Sequence, residues 1–274
     1  MQGSIGQIAA LTIYGNDLLT GELREGFWPD SSVFTFCKSV EFAEVPSSDR
    51  TERGALDAQN PPAWIEHAKA EGVRHLRLHY RHSSKGEAED RMMTGFVGGG
   101  GEWQIEALRE RDSDCWQSAW RVQNANDPNK KIWAVTYFRT ISHGPHIGGT
   151  DEALDALTNQ FEAILIRIAD LARRNSLDWA EKSFLTARML LHSDSPLMKG
   201  YYSDGFNSPR LSLAAKRLLG AAQSAWVFGG MGSWNDTAVD GQDSAEYDEL
   251  SKTLFDVLTR AIVAATNAST ADSH

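Results

Sequence analysis

A chain of 274 residues, 41% of them hydrophobic, can bury a core without disulfides or a structural metal, and its two cysteines are too few for a secreted disulfide framework. Its 37 acidic residues against 27 Lys and Arg give a net charge of -10, which repels phosphate backbones and anionic lipid headgroups, so neither nucleic acid nor a membrane surface is expected as a partner. The most apolar run, 163–172, is broken by Arg167 and Asp170, so no membrane span is expected, and a reducing, cytoplasmic setting fits the cysteine usage.

Taken in chain order, residues 5–14, 33–42, 73–80, 92–97, 102–108, 115–122 and 132–141 are rich in β-branched and aromatic residues between Gly, Pro, Asn and Asp breaks, which predicts about seven strands. In 33–42, Phe34, Phe36, Val40 and Phe42 share one face at period two. A breaker-rich stretch follows, and Pro61-Pro62-Ala63-Trp64 opens a short helix over 63–71 that Gly72 closes. Along 73–80, Leu76, Leu78 and Tyr80 fall on one face, with His75, Arg77 and His79 on the other. The run Gly98-Gly99-Gly100-Gly101 reads as a hairpin bend, and 124–129 reads as a turn; such close spacing favours an antiparallel meander.

After Gly148-Gly149 the periodicity becomes helical. Residues 151–174 place Leu154, Leu157, Phe161, Ile164, Ile168 and Leu171 on one seam, with acidic residues at the start and Arg173-Arg174 at the end, as the helix dipole prefers. Further helices are predicted over 177–191, over 209–227 behind Ser208-Pro209, and over 245–265 behind a Ser244 cap, with fraying after Asn267. The expected fold is therefore α+β: an N-terminal antiparallel, meander-like sheet with one short helix, then about four helices packing on one face of the sheet. One domain over 1–274, β-rich to 148 and helical over 149–267, is the simpler organisation; a split near 148 is the alternative.

No motif with a defined mechanism stands out, and no cofactor is expected. His75, Arg77 and His79 form a polar strip on one strand face; two His at i and i+4 on a strand lie roughly 13 Å apart and cannot share an ion. His143-Gly144-Pro145-His146 sits between the last strand and the first long helix, where Asp151 or Asp204 could complete a metal set if the chain brought it close. The glycines at 98–101 and 229–232 fail as phosphate loops, since neither run leads into a helix N-terminus. Two loops mix aromatic and polar residues: 194–207 with Tyr201, Tyr202, Asp204 and Phe206, and 229–243 with Ser233, Trp234, Asn235 and Asp236. Cys37 and Cys115 lack an activating setting, and the acids near Cys115 should raise its pKa. Trp103, Trp116, Trp120 and Trp133 lie on successive strands, where cross-strand packing is their expected role.

The leading expectation is a non-catalytic module that binds a protein partner or small ligand through the polar sheet face and the two aromatic loops. The rival is a metal-dependent hydrolase built on His143, His146 and one or both of His75 and His79, with a nearby Asp; a third possibility is a homodimer formed through a helical seam.

Overall fold

The structure, a computed structural model, describes residues 1–22, 25–45, 56–83, 89–149, 152–197 and 202–270. The chain opens with helix α1 (Gly3–Leu19), not with the strand expected over 5–14, and every residue from Ile5 to Asp17 is buried. Burial on all sides explains the difference. A helix enclosed by other elements needs apolar residues on every face, so the stripe that marks a surface helix is missing, and Ile5, Ile8, Thr12 and Ile13 imitate a strand.

One mixed sheet is formed among the described residues by β1 (Cys37–Glu44), β2 (Leu56–Ala58), β3 (His75–Arg81), β4 (Glu102–Leu108), β5 (Ser113–Val122) and β6 (Trp133–Gly144), in the order β2-β1-β6-β5-β4-β3. Strands β3 to β6 make the expected antiparallel meander. β1, however, runs parallel to β6, and β2 pairs antiparallel with β1 at the far edge. The wholly antiparallel expectation fails because the whole meander separates β1 from β6, and local spacing says nothing of that pairing.

Two other strand expectations also change. The one over 33–42 begins only at Cys37, because Ser32–Phe34 closes into a 3-10 turn whose Ser32 N–H and hydroxyl both donate to Asp204. Residues 92–97 hold no strand: Asp90 accepts from Tyr80 Oη at 2.8 Å and from Ser83 N at 3.1 Å, and the chain coils into the short helix α3 (Asp90–Met93). The glycines at 98–101 therefore join α3 to β4 and make no hairpin.

Helix α2 (Pro61–Ala70) forms as its breakers predict, capped by Asn60 Oδ1 accepting from Ala63 N at 2.9 Å and followed by Gly72 at φ +85°. Four longer helices follow: α4 (Leu154–Arg174), α5 (Asp178–Leu190), α6 (Leu213–Ala225) and α7 (Ser244–Asn267). The third starts at Leu213 behind a Ser212 cap, because Ser208 is held by Asp17 (2.6 Å) and in turn accepts from Arg210 N. Ser244 is not a cap: the 3-10 turn Gly241–Asp243 runs straight into α7. The expected fraying gives way, over Ala268–Thr270, to a 3-10 turn with Ser269 buried.

The bundle does not lie on the sheet as a set of four. Among the described residues, α7 is the one bundle helix that packs substantially against the sheet, beside β3; α1 and α2 cover the sheet face, α4 and α6 pack on α7, and α5 packs on α4 and α6. A continuous apolar core runs from Phe42, Trp64 and Tyr137, with Phe42 stacked on Trp64 at 4.2 Å, through α1 to Leu250 and Leu254. Gly15 lets α1 come close to β3, since a Cβ there would meet Leu76 Cδ1 at 2.2 Å.

β3 is an edge strand, and side-chain amides close that edge. Asn16 accepts from Leu76 N at 2.7 Å and donates to Leu76 O at 2.9 Å; two residues on, Asn267 accepts from Leu78 N at 2.7 Å and donates to Leu78 O at 3.0 Å. An open strand edge invites pairing with other chains, and each carboxamide supplies one residue's worth of missing strand. Asn16→Ala leaves the N–H and C=O of buried Leu76 without partners and removes the bond to Ser269 Oγ, and should lower the unfolding free energy by about 3 kcal/mol. Urea denaturation checks this; a loss under about 1 kcal/mol would show that Asn16 does not hold the edge.

Candidate functional site

The face alternation read from the sequence holds at β3: Leu76 and Leu78 are fully buried toward α1, and His75, Arg77 and His79 are half-buried on the other face. That second face is partly covered by residues 145–149, which cross it after β6. Ile147 N donates to Glu106 Oε1 at 2.7 Å, and His146 Nε2 donates to the carbonyls of Arg109 (3.1 Å) and Asp112 (3.0 Å).

Beneath this crossing lies a polar constellation that sequence reasoning missed. Glu106 on β4 has no solvent exposure, yet its carboxylate is fully matched: Oε2 lies 2.7 Å from His79 Nε2, and Oε1 accepts from Ser113 Oγ at 2.7 Å as well as from Ile147 N. Burial alone would raise its pKa, but the bonds from His79, Ile147 and Ser113 outweigh it and hold the group below the ordinary Glu value. His79 is thereby fixed through one nitrogen, and its Nδ1 makes no hydrogen bond among the described residues.

His79 opens on a cleft of about 560 Å³ between the end of β3, the Gly148-Gly149 segment and the C-terminal turns of α7. Val263, Ala264 and Leu154 give it an apolar wall; Thr259 and Asn267 give it polar groups, and Tyr80 also lines it. Its one guanidinium is already neutralised, because Arg260 donates to both oxygens of Glu152 and, at 2.9 Å, to Asp256. The cleft thus combines an apolar wall with a few oriented polar groups, the usual make-up of a small-molecule site.

The other histidines are held apart from it. His143 N donates to Asp114 Oδ1 at 2.8 Å, and His143 Nδ1 lies 3.2 Å from both Asp112 and the Arg109 guanidinium. Asp114, almost fully buried, is gripped by Arg109 (2.6 and 3.0 Å) and Arg139 (3.3 Å); these bonds overcome the effect of burial and keep its pKa low. This network ties the β4–β5 turn to β6. Asp151 lies outside the described residues, and Asp204 is spent on Ser32. Among the described residues no group of three or more His, Cys, Asp or Glu is arranged to hold a metal ion, so the four histidines of the hydrolase reading do not come together as ligands.

The aromatic loops pack inward. Trp234 is fully buried, donates to Ser251 Oγ at 2.7 Å and stacks on Tyr247; Phe206 is fully buried, and the Tyr202 ring lies against Gly6. Asn235 donates to Arg91 O, Asp236 accepts from Gly232 N, and Ser233 donates to Gly229 O. Tyr201 lies outside the described residues. Trp120 and Trp133 meet edge-to-face across β5 and β6, as cross-strand packing predicts, and burial pushes the Cys37 and Cys115 thiols up to about 11, with Glu106 and Asp114 adding to the shift at Cys115.

Comparison with known protein families, with curated proteins and with solved structures found no match.

Because Glu106 titrates below its ordinary value near 4.5 when folded, its contribution to stability is complete above that value and is lost as the pH falls through the folded pKa. Glu106→Gln should cost about 2 kcal/mol near neutral pH, and the gap to the natural protein should narrow below about pH 4.5. Urea titrations at several pH values test this; a gap that stays constant down to about pH 3 would mean the carboxylate is not ionised in the folded protein.

Proposed function

We propose that the protein is a binding module for a small, neutral, polar molecule, held in the cleft between β3 and α7. The observation that carries this reading is the His79–Glu106 pair: a fully buried carboxylate orients an imidazole whose second nitrogen is left for a ligand. Neutrality follows from Arg260, whose charge Glu152 and Asp256 already answer, so a carboxylate or phosphate would find no spare cation there. The binding surface is thereby moved from the aromatic loops to one part of the polar sheet face. We also read the chain as one α+β unit, on its continuous core, and as a cytoplasmic protein, on its two buried free thiols.

A second reading has a specific observation behind it. A histidine fixed through one nitrogen by a carboxylate is the arrangement in which an imidazole takes and returns protons, so metal-independent acid–base chemistry on the bound molecule is the alternative to simple binding.

Ligand-observed NMR with a library of neutral fragments tests the site. Hits on the natural protein should be lost in Val263→Trp, which fills the apolar wall while leaving the melting temperature within a few degrees. Hits that survive Val263→Trp, or none at all, would overturn the assignment. Turnover of a hit that stops in His79→Gln, with binding retained, would favour the catalytic reading.

A further inference from the structure

We infer that the contact group of the ligand is a planar amide, whose N–H and C=O pair with the main chain of Tyr80. This rests on the cleft being the ligand site. In an antiparallel ladder the main-chain groups of alternate residues point to opposite neighbours, so Leu76, Leu78 and Tyr80 all direct their N–H and C=O away from β4, at intervals of roughly 6.8 Å. The first of these pairs is taken by the Asn16 carboxamide and the second by that of Asn267, each donating to the carbonyl and accepting from the N–H.

Tyr80 is the third position in the row. Its main-chain groups have no partner beyond the β3–β4 ladder among the described residues, and it lines the cleft beside His79. The fold therefore presents, at the cleft, the same donor–acceptor pair that it satisfies twice with carboxamides along the same edge. A small molecule with a primary amide, or the cis amide edge of a lactam, reproduces that geometry. Its remaining body would meet Val263 and Leu154, and the neutralised Arg260 disfavours an acid in place of the amide.

A peptide strand is the less suitable occupant. Strand addition needs a continuous edge, and the Asn267 side chain already holds the neighbouring pair at Leu78.

The test measures binding to 15N-labelled full chain of three primary amides (acetamide, benzamide and nicotinamide), each beside its N,N-dimethyl amide and its carboxylate. At least one primary amide should shift the Tyr80 N–H resonance and bind tenfold or more tighter than both counterparts. Equal affinity within each set, or shifts confined to residues away from Tyr80, would overturn the amide assignment while leaving the cleft as a ligand site if Val263→Trp removes the binding. If no amide binds, the inference fails, and the fragment library then decides whether the cleft reading fails with it. An alanine hexapeptide that shifts Tyr80 at lower concentration than the amides would assign a strand and also overturn it.

Discussion

A helix enclosed on every side can carry polar side chains only where each finds a partner, and α1 sets the geometry of the molecule through this constraint. Gln7 donates to Val33 O at 3.0 Å and accepts from Tyr137 Oη at 3.2 Å; Asp17 accepts from Ser208; Asn16 joins β3 to Ser269 after α7. Each of these bonds reaches an element distant in sequence. Unmatched, each buried group would cost about 1–3 kcal/mol, enough to make the register of α1 against the sheet and bundle unique. The apolar residues between them supply most of the burial energy, and the polar ones decide which arrangement receives it.

That register places the cleft. Asn16 and Asn267 bring α1 and α7 to the β3 edge, and α7 then runs beside the strand, leaving space opposite Tyr80. On the other face, residues 145–149 are drawn across the sheet by Glu106, which at the same time orients His79. The buried carboxylate thus has two effects: it fastens the crossing segment, and it holds His79, a residue of the cleft wall, through Nε2 while Nδ1 makes no hydrogen bond among the described residues. Both depend on the register that pairs Arg77 with Glu106 and His79 with Gln104.

How much of this was legible depended on whether the burial of a segment was one-sided. The helix α4 buries Leu157, Phe161, Ile164, Ile168 and Leu171 on one face and exposes the other, so its seam could be read from spacing. The alternation in β3 was legible for the same reason. α1 lacked that contrast, and its β-branched residues pointed to the wrong element. The parallel β1–β6 pairing and the His79–Glu106 contact join residues far apart in sequence, and nothing local encodes either. The histidines did draw attention to the right strand, but their period-two polar strip carries no sign of the segment that crosses it, and Glu106 gave no sequence signal beyond being one acidic residue among many. The aromatic loops misled in the opposite sense: Trp234 and Phe206 anchor the core from connections that composition alone marks as surface.

Carboxamides close the β3 edge at Leu76 and Leu78, and no side chain among the described residues does so at Tyr80. Native-state hydrogen exchange on the free protein measures all three amides at once. The Leu76 and Leu78 N–H groups should exchange at least ~100-fold more slowly than that of Tyr80, which should exchange as a solvent-facing group does. Equal protection at the three positions would mean that something else covers the edge at Tyr80, and equally fast exchange would mean that the asparagines do not close it at all.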